Sequence, residues 1–218
     1  MTLDEYLALR TAVSAAGYER EIEWAQNLAP PTCPVAFALE LGWVILNSGM
    51  RYRVAYDLWH GVEAKARLGI SALLQAGRSA GEEFRHVGKV AALDRIWSER
   101  ETLLVEFLAI AGDEQRIEWL GCLPWIGPIT RYHAAKNLGV DTVKPDRHMA
   151  RLAGRPDWET ARIEDLYPAV VTLCRPLANA SGDRLATVDM VLWRAAELGI
   201  INTRSSLSGA RTAICVRA

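Results

Sequence analysis

The sequence has few cysteines, and none of the four lies near another along the chain. They are Cys33, Cys122, Cys174 and Cys215. No Cys-x-x-Cys pair and no Cys/His pair at metal-ligand spacing is present, which argues against a zinc site or an iron–sulfur cluster. We therefore expect reduced thiols with mainly structural roles, as in a cytoplasmic protein.

The chain also lacks a long apolar run and a strong net charge. Its longest apolar stretch, residues 34–46, contains Glu40 and is too short to cross a bilayer. The first residues have no basic region followed by an apolar core, so we expect neither export nor contact with a membrane. The formal net charge of the 218 residues is −1, which by itself gives no indication of a nucleic-acid partner.

Helical periodicity, by contrast, is abundant. Thr2 and Glu5 form a capping-box pattern, and Pro34 can open a largely buried helix that runs to Asn47. Apolar stripes predict further helices over residues 54–68, 87–97, 101–111, 113–120, 128–138, 146–153, 168–175 and 186–198. Only residues 211–216 have a faint strand pattern. These patterns predict an all-α fold of about ten helices joined by short loops.

Tryptophan is frequent, with eight residues in the chain. Trp24, Trp97, Trp119 and Trp193 fall on apolar helical stripes, which predicts that they lie in the core. Trp125 follows a proline in a predicted turn, which predicts an exposed ring.

The most informative segment is residues 123–151. It begins with Leu-Pro-Trp-Ile-Gly-Pro, in which Pro124 stiffens a turn, Gly127 permits unusual backbone geometry and Pro128 can open the next helix. The N–H groups of such a turn can face a phosphate oxygen. A simple packing turn between antiparallel helices has the same pattern, so the turn alone leaves both interpretations open.

A second motif follows, in which Asp146 is succeeded by His148 and Arg151. Asp146 comes after Pro145 at a predicted helix start, where the helix dipole favours a carboxylate anion, although a plain N-cap would use the same residue. Residues 127–155 carry six basic and two acidic side chains, a net 6 − 2 = +4, which suits contact with phosphates. The two motifs together indicate an enzyme that acts on nucleic acid.

The segments LPWIGPIT (123–130) and PDRHMARL (145–152) resemble the helix-hairpin-helix DNA glycosylase superfamily. In that family the hairpin usually reads Leu-Pro-Gly-x-Gly, and an essential aspartate lies in a segment Asp-x-His-x-x-Arg. The residues that match these patterns are Leu123, Pro124, Gly127, Asp146, His148 and Arg151. Trp125 replaces the first hairpin glycine. Segments 43–49 and 88–96 more weakly resemble the helix before the family's DNA-inserting loop and its Lys-Ala-x-x-Ile helix.

The resemblance implies a two-lobed all-α fold with a cleft between the lobes. Residues 35–137, with the hairpin at 123–127, would form one lobe, and residues 1–34 with 138–218 the other. It also implies an enzyme that flips a modified or mispaired base from double-stranded DNA and hydrolyses its N-glycosidic bond. Asp146 would stabilise the positive charge on the sugar and orient the attacking water.

Family members that also cut the strand carry a Schiff-base lysine two residues after the hairpin glycine. That position is Ile129, which cannot form an imine, so we predict hydrolysis without lyase activity. Lys136 and Lys144 are the alternative amines near the motif, but we expect both to be phosphate contacts or surface charges. We expect no metal or cofactor, apart from a structural monovalent cation that the hairpin could hold. The protein would act as a monomer in the cytoplasm.

The resemblance assigns DNA contacts to Leu123, Pro124, Trp125, Gly127, Ile129, Thr130, Lys144, Arg147, His148 and Arg151. Glu40, Trp43 and Asn47 share one face of the predicted helix 34–47 and are candidates for a base pocket. The alternative is a core tryptophan beside a salt-bridged Glu40. Met50 and Arg51, in the turn that follows, could enter the gap left by a flipped base.

Asp141 competes with Asp146, because Val140-Asp-Thr copies a Val-Asp-Thr of the family, but it lacks the His and Arg partners. Two other classes of protein also fit the motifs. A non-catalytic DNA-binding or lesion-recognition protein would use the hairpin alone. An N-glycoside hydrolase acting on RNA or nucleosides would use the carboxylate on a different substrate.

Overall fold

The computed structural model describes residues 1–67 and 86–202, which form ten α-helices and no strand. The all-α prediction is therefore confirmed. Residues 211–216, with their faint strand pattern, and Cys215 lie outside the described residues. No described helix combines the length and apolar character needed to cross a membrane. The helices are α1 Leu3–Val13, α2 Glu19–Asn27, α3 Pro34–Asn47, α4 Tyr52–Arg67, α5 Val87–Ala109, α6 Asp113–Leu120, α7 Thr130–Asn137, α8 Arg147–Leu152, α9 Ile163–Ser181 and α10 Leu185–Glu197.

The chain divides into two compact units. One contains Pro30–Gly139, and the other contains Met1–Ala29 together with the chain from Val140 onward. In the first unit α3 packs against α4, α5 and α7, and α6 packs against α7. In the second, α10 packs against α1, α2, α8 and α9. The hairpin segment therefore belongs to the first unit and Asp146 to the second.

Aromatic side chains pack among the aliphatic residues in the core of the Pro30–Gly139 unit. The ring of Phe107 lies 5.6 Å from that of Phe37 and 6.1 Å from that of Trp119. Gly42 lets the Trp59 ring approach α3, because a Cβ at that position would lie 3.1 Å from Trp59 Cη2. Burying each aromatic ring contributes roughly 1.5–3 kcal/mol of stability.

The other unit is organised around α10, which is buried along almost its whole length. Arg194 of this helix is 3% exposed and donates to Glu21 and Glu197 at 2.6 and 2.8 Å. A buried guanidinium is tolerated only with such pairing, because desolvation of an unpaired charge costs several kcal/mol. Tyr6, in α1, is fully buried, and its hydroxyl donates to Asp183 at 2.6 Å.

Several local predictions are confirmed. Thr2 and Glu5 form a reciprocal capping box at the start of α1. Helix α3 begins at Pro34 and ends at Asn47, as its proline and the following Ser-Gly pair predict.

Three predictions are wrong. Residues 87–109 form one helix rather than two, because the polar residues between the two apolar stripes lie on its solvent side, where Arg95 pairs with Glu99 at 3.1 Å. Helix α9 begins at Ile163 and continues through Pro168, since packing against α10 outweighs the lost hydrogen bond. Trp24 is 41% exposed rather than buried.

Candidate functional site

Asp146 occupies the N-cap of α8, and its two carboxylate oxygens have different surroundings. Oδ1 accepts hydrogen bonds from the N–H groups of His148 at 2.9 Å and Met149 at 3.2 Å. Oδ2 lies 3.8 Å from Lys144 Nζ, and the Asp146 side chain is only 15% exposed. The backbone N–H groups of the helix start and the Lys144 amine thus surround the carboxylate. One oxygen thus holds the cap while the other faces a cation.

A tight turn sets the position of this carboxylate. The Asp146 N–H donates to the Lys144 carbonyl at 2.8 Å, which closes a three-residue turn around Pro145. The Lys144 N–H donates to Asp189 Oδ1 at 2.9 Å, and Asp189 is 1% exposed in α10. Asp189 was not predicted from the sequence, although an acid inside the apolar run 185–193 signals a buried partner.

The remaining side chains of the motif cluster on α8. Burial lowers the pKa of His148. The positive charges of Arg147 and Arg151 lower it further, whereas the negative charge of Asp146 raises it. Its Nε2 accepts from Arg147 Nε at 3.3 Å, and its buried Nδ1 has no hydrogen-bond partner among the described residues. The Arg151 guanidinium lies 5.2 Å from the Trp158 ring. Because its pKa is lowered, the His148 imidazole is neutral at pH 7. The DNA contacts of His148, Arg147 and Arg151 stay predictions.

Asp141 has a structural role in the same unit. Its Oδ1 accepts from the Ala186 N–H at 3.1 Å and lies 3.6 Å from Arg184 Nε. The carboxylate therefore satisfies a donor at the start of α10, where an N-terminal anion is favourable. The choice of Asp146 over Asp141 as the catalytic carboxylate stays a prediction.

The hairpin of the Pro30–Gly139 unit contains a turn that usually requires glycine, but here the glycine position is occupied by Trp125. The Ile126 N–H donates to the Leu123 carbonyl at 3.2 Å, across Pro124 and Trp125. Trp125 has φ 63°, a left-handed conformation that no other non-glycine residue of the described chain adopts. Proline followed by positive φ defines a type II turn, which normally has glycine at the third position. Placing a tryptophan there costs about 1–2 kcal/mol.

The Trp125 ring packs on the start of α5, which offsets this cost. Its ring centroid lies 4.6 Å from that of His86 in an edge-on arrangement. A Cβ added at Gly88 would lie 2.7 Å from Trp125 Cζ3, so only glycine permits this packing. Trp125 nevertheless remains 43% exposed, which confirms the predicted exposure. His86 and Gly88 were missed from the sequence because nothing local links them to the hairpin.

Gly127 is hydrogen-bonded to the first residues of α7. The Gly127 N–H donates to Thr130 Oγ1 at 2.7 Å, and the Gly127 carbonyl accepts from the Arg131 N–H at 3.0 Å. A phosphate contact through this N–H would therefore require the Thr130 hydroxyl to rotate away. The hairpin borders an open depression of about 480 Å³ lined by Ser48, Gly49, Trp125, Ile126, Gly127 and Thr130.

Lys89 holds the turn that carries the proposed DNA-inserting residues. This lysine is 4% exposed, and its Nζ donates to the Leu46 carbonyl at 2.8 Å and to the Ser48 carbonyl. Burial lowers its pKa. The C-terminal carbonyls of α3 are thereby satisfied from α5, and the turn leading to Met50 and Arg51 starts from a fixed point. The role of Lys89 was not predicted from the sequence.

The three candidates for a base pocket each have a different environment on α3. Glu40 Oε2 accepts from Asn137 Nδ2 at 3.2 Å, so its partner is a neutral amide and not a cation. Burial raises the pKa of Glu40 to about 7, assisted by the charge of Glu63. The Trp43 ring lies 5.9 Å from Tyr52 and 6.1 Å from Trp59. Asn47 is the last residue of α3.

The described helices adopt the helical fold of a solved DNA glycosylase. One solved protein with this fold is the 8-oxoguanine DNA glycosylase of Thermotoga maritima, which matches with a TM-score of 0.65 and 19% identity over 88% of this chain and 93% of that chain. No protein-family model and no curated protein sequence matches the chain. The match confirms the fold that the hairpin and aspartate motifs implied, and activity must be argued from the site.

The strain at Trp125 can be measured by paired substitutions. Trp125→Ala removes the ring but keeps a Cβ at positive φ, whereas Trp125→Gly removes both. We expect the glycine variant to be more stable than the alanine variant by about 1 kcal/mol in urea unfolding. The same pair at the exposed helical residue Glu106 should show the opposite order, because glycine destabilises a helix. Equal order at both positions would contradict a strained Trp125.

Proposed function

We propose that this protein is a DNA glycosylase that removes a modified or mispaired base by hydrolysis, with Asp146 as its catalytic carboxylate. The observation that carries the proposal is the geometry of Asp146. It is a largely buried carboxylate with one oxygen fixed by two N–H groups and the other directed towards Lys144, in a chain with this fold. The structural neighbour acts on 8-oxoguanine, which makes that base the first substrate to test.

The chemistry suits such a carboxylate. Breaking the N-glycosidic bond develops positive charge on the sugar ring, and a fixed anion near C1′ lowers the energy of that state. The same oxygen can orient a water molecule and take its proton as the water attacks C1′. Because Asp146 is held by the backbone of α8 and by the turn at Pro145, little reorganisation is needed during the reaction.

Water rather than an amine is the proposed attacking group at this step. Ile129 stands at the N-cap of α7, where the resemblance implies the lysine of strand-cutting members. An aliphatic side chain has no nucleophile, so base release must proceed without a covalent bond to this position.

The hairpin is proposed to bind the phosphate backbone of duplex DNA. Its turn is braced by Trp125 on α5 and by Thr130 on Gly127, so the loop would be presented in one conformation. On α8, Arg147 is exposed and can pair with a phosphate. We further propose that Met50 or Arg51 fills the gap left by the flipped base, and that the protein works as a monomer in the cytoplasm without a cofactor.

The test is release of a base from defined duplexes. Purified protein is incubated with oligonucleotide duplexes that contain 8-oxoguanine, alkylated, deaminated or mispaired bases, and abasic sites are revealed by alkaline cleavage. We expect at least one duplex to yield abasic sites about a hundredfold faster than the unmodified control. Free nucleosides and the matching RNA serve as competitors. Binding of duplexes without release from any of them would instead indicate a non-catalytic DNA-binding protein.

A further inference from the structure

Lys144 provides an amine beside the proposed catalytic carboxylate. The chain contains only four lysines, Lys65, Lys89, Lys136 and Lys144. Lys144 Nζ lies 3.8 Å from Asp146 Oδ2, and its side chain is 20% exposed. Lys89, by comparison, is buried and bonded to the carbonyls of Leu46 and Ser48. Lys144 therefore shares the immediate surroundings of the proposed catalytic carboxylate.

Backbone hydrogen bonds hold Lys144 and Asp146 next to each other. The turn around Pro145 has its Asp146 N–H bonded to the Lys144 carbonyl, and the Lys144 N–H is held by the buried Asp189. Both side chains therefore leave a hydrogen-bonded loop close together. If the carboxylate acts within about 3.5 Å of C1′, the amine lies at most about 7 Å from the same carbon. Rotation of the lysine side chain covers that distance.

We propose that Lys144 forms an imine with the abasic product and cuts the strand in a second, slower step. The proposal rests on the proposed function, because base release by water leaves a sugar whose open form carries an aldehyde at C1′. It revises the prediction of a glycosylase without lyase activity, which rested on Ile129 at the hairpin position and took Lys144 for a phosphate contact or a surface charge.

Imine formation and strand cleavage by Lys144 require no oxidant, reductant or co-reactant other than water. Asp146 first accepts a proton from the Lys144 ammonium, and the neutral amine adds to the aldehyde carbon. The carbinolamine hydroxyl then leaves as water with the proton returned by Asp146, which gives the protonated imine. A carboxylate oxygen then removes a proton from C2′. The C3′–O bond breaks, and the 3′ phosphate departs with the bonding electron pair. One water molecule finally hydrolyses the imine and regenerates Lys144.

The test starts from abasic DNA, so that it does not depend on base release. Full-length protein is mixed with a duplex that contains a preformed abasic site and is treated with borohydride, which reduces the imine to a stable amine. We expect a covalent adduct, with the sugar fragment mapped to Lys144 by mass spectrometry of peptides. Lys144→Arg keeps the positive charge but cannot form an imine, and we expect at least a tenfold loss of adduct and of strand cleavage.

Folding and binding are controlled separately. Circular dichroism establishes that Lys144→Arg is folded, and adduct yields are compared at equal bound fractions of abasic DNA. Lys136→Ala, which removes an amine of α7, should retain the adduct. A wild-type protein without adduct, or an adduct on Lys136, Lys65 or the terminal amine, would overturn the role of Lys144. Failure of the proposed function would show independently, as absence of base release from every modified duplex.

Discussion

Asp146→Asn should reduce base release by a factor on the order of 10² to 10⁴ while leaving DNA binding nearly unchanged. The asparagine removes the negative charge that stabilises the sugar cation and accepts the proton of water. Its amide oxygen can still accept from the His148 and Met149 N–H groups, so the helix cap survives. The measurement is single-turnover base release on the best duplex of the panel, with affinity determined by fluorescence anisotropy.

Two variants separate chemistry from capping. Asp146→Ala should lose the same activity and also about 1 kcal/mol of stability, because the cap is removed. Asp141→Asn is the matched acid, since Asp141 caps α10 instead, and we expect it to keep base release within severalfold of wild type. Near-normal activity of Asp146→Asn, or an equal loss in Asp141→Asn, would remove Asp146 from the mechanism.

Glu40→Gln should stabilise the protein at alkaline pH and have little effect in acid. Burial raises the pKa of Glu40 to about 7, against an ordinary value of 4.5. The folded state therefore binds a proton more tightly than the unfolded state, and wild-type stability falls as pH rises from about 4.5 through about 7. Glutamine resembles the protonated carboxyl and can still accept from Asn137. It removes this pH-dependent loss.

The expected size follows from the pKa difference. After discounting for the partial exposure of Glu40, the penalty above pH 7 is about 2 kcal/mol, which corresponds to a rise in Tm of roughly 4–8 °C for a chain of this length. Thermal unfolding of wild type and Glu40→Gln at pH 5 and pH 8 measures it. The exposed Glu106→Gln provides the control and should shift Tm by little at either pH. An equal Tm for wild type and Glu40→Gln at pH 8 would show that Glu40 is ionised at no cost.

The predictions that succeeded depend on residues close together in the chain. The bounds of α3 follow from Pro34 and the Ser-Gly pair after Asn47, and the cap of α8 follows from Asp146 after a proline. Helix caps involve hydrogen bonds over two to four residues, so their signals are complete in a short window. The same locality explains why α5 was divided, because a polar stretch on a solvent-exposed face looks like a break.

The contacts around the candidate site could not be predicted from the sequence, because they join residues that are far apart in the chain. Lys144 was one of two possible amines in the sequence, and its approach to Asp146 depends on a turn anchored by Asp189, which lies far along the chain. Similarly, Asn137 and burial set the protonation of Glu40. Trp125 looked like a departure from the hairpin pattern, yet its ring packs against His86 and over Gly88 in the same turn geometry.

The sequence by itself determined the helical class, the hairpin segment and the aspartate that begins α8. These features arise from periodicity and from hydrogen bonds between near neighbours. Only the tertiary structure decided which charges meet, which side chains lose water and how a tryptophan occupies a glycine conformation. Such properties depend on residues brought together from distant parts of the chain, and desolvation and charge pairing have no local signature.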